Sequence, residues 1–65
     1  VRKSQDGALP HLSLGAAYGK QNRLDEAVNE FNTALKLKPD YGEAFLNLQM
    51  CYVTKSMKRK IEGKL

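Results

Sequence analysis

His11 and Cys51, each the one residue of its type, are the side chains with general-base or nucleophilic character near neutral pH. A thiolate–imidazole pair would need them within hydrogen-bond reach, with a third group orienting the ring. No third group stands at a useful spacing. His11 therefore reads as a packing residue at a helix–helix contact, and Cys51 as a small, buried structural thiol. Asp25, Glu26 and Glu30 read as the solvated face of one helix. Gly15 and Gly19 fall inside a helical pattern and form no phosphate-cradling loop. One cysteine excludes an internal disulfide, and no Cys/His set has metal-ligand spacing. The expectation is binding without catalysis, with no cofactor, no metal and no small-molecule substrate.

Charge supplies a second candidate feature. Residues 1–54 carry six basic and six acidic side chains, so the net charge of +4 resides in residues 55–65. Lys55, Lys58, Arg59 and Lys60 form a basic patch there. Such a patch suits phosphates of nucleic acid, anionic lipid or an acidic protein surface, or is a solvated helix face. No aromatic is interleaved with it, which argues against stacking on single-stranded bases.

Three helical stretches must position these groups. Pro10 suits a helix's first turn, and apolar residues recur to Gln21, which predicts a helix over about 10–21 with more than one buried side. Gln21-Asn22-Arg23 is a polar break. Leu24, Ala27, Val28, Phe31, Ala34 and Leu35 make one stripe of a second helix over about 23–37, stopped by Pro39. Asp25 and Glu26 in its first turn and Lys36 and Lys38 near its end complement the macrodipole. Asp40 to Glu43 reads as a capping box opening a third helix over about 41–55, with Phe45, Leu48, Cys51 and Tyr52 as its stripe. Residues 57–65 read as either a short fourth helix, through Met57, Ile61 and Leu65, or a frayed end. Residues 1–7 read as a flexible lead.

The stretches repeat. A shift of 34 residues pairs Ala8 with Gly42, Leu14 with Leu48, Ala17 with Cys51 and Tyr18 with Tyr52. The pattern His11-x2-Leu14-Gly15-x2-Tyr18, Ala27-x3-Phe31-x2-Ala34, Pro39 resembles the tetratricopeptide repeat signature over residues 8–41. His11 departs from it, since the family prefers a large aromatic there. The second copy, 42–65, is partial: Gln49 replaces the expected glycine and Ile61 the expected small residue.

The resemblance implies an all-α antiparallel helix-turn-helix array, a fragment of an α-solenoid, with Leu14, Tyr18, Ala27, Phe31, Ala34, Leu48 and Tyr52 in the core. It implies a protein–protein interaction or scaffold role in complex assembly. The first helix of each repeat lines the family's concave groove, which here would present Leu9, Leu12, Ser13, Ala16, Gly19 and Lys20, then Glu43, Leu46, Asn47, Met50 and Thr54. That mostly apolar set suits a partner's helix or an extended peptide, or else packs on neighbouring repeats of a larger chain. Some members clamp a terminal carboxylate. Asn47 matches that clamp's middle position, but Leu12 and Ala16 cannot donate to a carboxylate. The competing expectation is a basic-tailed subunit anchored to nucleic acid or an anionic membrane through Lys55–Lys60.

At 65 residues the chain is one domain of marginal stability that leans on a neighbour. A first residue other than Met suggests a processed product or a segment of something longer. No apolar run is long enough to cross a membrane, and residues 1–20 lack the order of a signal peptide. The cytoplasm or another soluble intracellular compartment is expected.

Overall fold

The computed structural model describes the backbone of residues 7–64 and the side chains of residues 7–60. It holds three helices, α1 (Ala8–Lys20), α2 (Leu24–Leu37) and α3 (Gly42–Lys64). α1 starts two residues earlier than expected, so Pro10 is its third residue. An N–H there has no intrahelical acceptor, and its loss costs nothing.

The α1–α2 turn is a Schellman closure. Asn22 takes φ 65°, in the left-handed region that asparagine tolerates. Its N–H donates to the Gly19 carbonyl at 3.0 Å, and the Arg23 N–H to that of Tyr18 at 2.9 Å. The Arg23 guanidinium then lies 5.0 Å above the Tyr18 ring and donates twice to Glu26, at 2.6 Å each. After α2, Lys38 leaves helical geometry (φ −142°, ψ 88°) ahead of Pro39.

The capping box falls out of register. The Tyr41 carbonyl accepts from the Phe45 N–H at 3.1 Å, which makes Tyr41 the residue before the helix. Asp40 lies one position too early and faces Lys38 at 3.5 Å instead. α3 also runs through Ser56 without a break, because no glycine or proline interrupts residues 43–62. The expected choice between a fourth helix and a frayed end is thus replaced by one continuous helix. Residues 1–6 of the lead and the side chains of Ile61 and Leu65 lie outside the described residues.

α2 packs against both other helices, whereas α1 and α3 scarcely touch. Both pairings are antiparallel. Gly7, at the head of α1, sits against Leu37 at the end of α2, and Lys55 in the second half of α3 reaches Asp25 at the start of α2. α1 and α3 therefore run parallel over a common floor.

Each helix buries one stripe at i, i+4, i+7: Ala8, Leu12, Gly15; Ala27, Phe31, Ala34; Ala44, Leu48, Cys51. One small residue or more in every stripe permits close approach. The 34-residue shift relates Leu12 to Leu46 and Leu14 to Leu48, and the two members of each pair differ in burial. α1 meets α2 through the Leu12 face, while α3 meets α2 through the Leu48 face. Leu12 is 5% exposed against 62% for Leu46, and Leu48 is 6% against 47% for Leu14. A repeat's first helix has two packing faces, and each of these helices uses a different one because α2 is the one helix between them. This corrects three expectations. Leu12 is core rather than groove, Leu14 and Tyr52 are exposed rather than core, and Phe45 faces solvent.

Candidate functional site

α1 and α3 form two walls above α2. Between them lies an open concavity of about 310 Å³. Gly15, Ala16, Gly19 and Lys20 line it from α1, and Asn47, Met50, Cys51 and Thr54 from α3. Phe31 supplies its floor, and Asn22 and Leu24 close one end. The helical rise explains the lining: Asn47, Met50, Cys51 and Thr54 share one face at i, i+3, i+4, i+7. The Thr54 hydroxyl donates back to the Met50 carbonyl at 2.9 Å, which spares the concavity a polar demand.

Of the expected groove residues, the structure brings together Ala16, Gly19, Lys20, Asn47, Met50 and Thr54. Leu12 lies beneath, in the core. Ser13, Glu43, Leu46 and Leu9 are exposed away from the concavity. Asn22, Leu24, Phe31 and Cys51 were not expected there. Phe31 reaches the concavity because Gly15 on α1 has no side chain to cover its ring, a contact that depends on how the two helices pack.

A second concavity, about 290 Å³, adjoins the first through the shared Asn22 and Leu24. Asp25, Lys55, Lys58 and Arg59 complete it. Lys55 donates to Asp25, and that hydrogen bond, then the ammonium charge, holds the Asp25 carboxyl below its ordinary value. Lys60 is exposed and lies outside this lining.

The residues with catalytic potential are otherwise engaged. His11 Nδ1 meets Glu30 Oε1 at 2.7 Å across the α1–α2 contact. Glu30 is therefore a half-buried partner of His11 rather than part of a solvated face. No hydrogen bond links His11 with Cys51. Burial pushes the Cys51 thiol up from its ordinary value, against a smaller opposing pull from Lys55. A buried thiol kept protonated reacts slowly. Iodoacetamide is expected to alkylate Cys51 in the folded chain at least about tenfold more slowly than in denaturant at the same pH, read by mass spectrometry.

Among the described residues no helix is long and apolar enough to cross a membrane. The family model described as TPR repeat matches residues 15–48, a window running from Gly15 through α2 to Leu48. The tetratricopeptide repeat domain-containing protein PYG7, chloroplastic, of Arabidopsis thaliana is 37% identical over 51 residues, covering 78% of this chain. The chain spans 17% of that relative's length. No solved structure matches the chain significantly. The matched window covers more than half of the chain and contains the whole of α2, so the chain belongs to the tetratricopeptide repeat family.

Proposed function

We propose that this chain is a non-catalytic protein-binding segment that seats a partner's helix or extended peptide in the concavity between α1 and α3. Residues 8–41 act as one full repeat and 42–65 as a partial second, in the cytoplasm or another soluble intracellular compartment. Family membership supports a protein–protein interaction module in general. One observation carries the specific reading: the inner walls leave an open, largely apolar hollow, with Met50 55% exposed at its rim and the Phe31 ring beneath. Apolar surface held open between two rigid helices gains by covering, and a methionine adapts to varied partners.

A random dodecapeptide display selection on the immobilised chain provides probes. Met50→Glu places a carboxylate where an apolar side chain would seat, and is expected to weaken selected peptides by about tenfold or more. Phe45→Glu, on the outward face, is expected to leave them unchanged. Circular dichroism checks that both variants remain helical. Equal loss in both variants, or in neither, contradicts the reading.

A further inference from the structure

We infer that the groove's partner is an acidic peptide, with an apolar residue in the Phe31-floored hollow and carboxylates over Lys58 and Arg59. This rests on the groove reading and adds the chemistry and spacing of what the groove takes. The two concavities adjoin, since Asn22 and Leu24 contribute to the lining of both. One is floored by an aromatic ring and walled mainly by small and apolar residues, with Lys20, Asn47 and Thr54 as polar groups on its walls. The other carries Lys55, Lys58 and Arg59 against the single acid Asp25.

Asp25 accepts from Lys55, so those two charges offset one another and the lining keeps the positive charge of Lys58 and Arg59. Residues 55–65 as a whole, with Glu62 included, carry +4, so the field around this end is positive too. Lys20 is the one charged residue lining the apolar concavity, so the basic charge is densest at the Lys58–Arg59 end. No aromatic lines the basic concavity, which disfavours stacked bases. The adjoining apolar hollow favours a ligand bearing both apolar and acidic side chains over a phosphate surface alone.

The geometry sets a spacing. Lys58 and Arg59 lie eight residues beyond Met50 and Cys51 on α3. At 1.5 Å per helical residue that is roughly 12 Å. An extended peptide covers it in roughly three to four residues. The bound sequence should therefore carry Asp or Glu about three to four positions from its apolar anchor.

The test reads composition from the same dodecapeptide selection, run on the wild-type chain, on Lys58→Glu/Arg59→Glu and on Met50→Glu. The expected result is enrichment of an apolar residue with an acid at that spacing. The acid preference should vanish on the double charge reversal and weaken as salt rises. Apolar enrichment without acids, lost on Met50→Glu, would overturn this inference and leave the groove reading standing. No enrichment over a blank surface would overturn both. Binding of single-stranded RNA or of vesicles one-quarter phosphatidylglycerol is measured alongside. Should either bind in a way lost on the double reversal, while selected peptides show no acid bias, the basic end belongs to a phosphate-bearing partner and the inference fails.

Discussion

Phe31→Ala is expected to abolish cooperative folding of the chain. Phe31 is 2% exposed and is the largest fully buried side chain among the described residues. It stands in the middle of the α2 stripe and fills the space left by Gly15 on α1. Truncating a buried phenylalanine costs about 3–5 kcal/mol, the lost transfer energy together with the cavity left behind. A domain of this length holds roughly 3–10 kcal/mol in total, with values near the lower end usual below about 70 residues. The loss therefore consumes most or all of the stability. A thermal melt followed by far-ultraviolet circular dichroism should show a sigmoidal transition for the wild-type chain and a shallow, featureless slope for Phe31→Ala. Phe31→Leu keeps most of the volume and should retain a transition at lower temperature. A full transition in Phe31→Ala would mean that the core does not centre on α2.

Gly15→Ala and Gly19→Ala should move stability in opposite directions, although both add a methyl to the same helix. Each gains about 1 kcal/mol of helix propensity over glycine. At Gly19 the new Cβ meets nothing within 4 Å, so the gain stands and the midpoint rises. At Gly15 the Cβ would lie 2.5, 2.7 and 2.9 Å from three carbons of the Phe31 ring. That ring is buried and cannot swing aside, and overpacking of this kind costs about 1–3 kcal/mol. The net result is destabilisation of up to about 2 kcal/mol, several degrees or more in the melt of a small domain. A stabilised Gly15→Ala would show that α1 and α2 approach less closely than the Gly15–Phe31 contact requires.

The fold was legible where one pattern stood without competitors. α2 has apolar residues on one side and charged or amide side chains on the other, and its buried face came out as expected. α1 and α3 carry apolar residues nearly all round, so periodicity does not choose a face. The choice is made by what packs beside each helix. Leu12 and Leu46 hold equivalent positions, yet α2 covers the first and nothing among the described residues covers the second. The family signature marks Leu14 and Tyr52 for burial because arrays supply a neighbour for each, and here those faces stay open. The His11–Glu30 bridge was illegible for a related reason, since it depends on the register between two helices. The groove was legible in part: residues sharing the inner faces of α1 and α3 do converge, but the contribution of Phe31 from below is tertiary.

Open faces also define the competitor to the groove. Phe45, Tyr52 and Leu14 expose apolar surface that an array covers with neighbouring helices. A bound segment could in principle take either surface, and the two are resolved residue by residue. The decisive measurement is a chemical-shift titration of the isotope-labelled chain with a peptide from the display selection. The largest shifts are expected to cluster at Ala16, Gly19, Lys20, Asn47, Met50 and Thr54. Shifts concentrated at Leu14, Phe45 and Tyr52, with the inner walls unmoved, would contradict it.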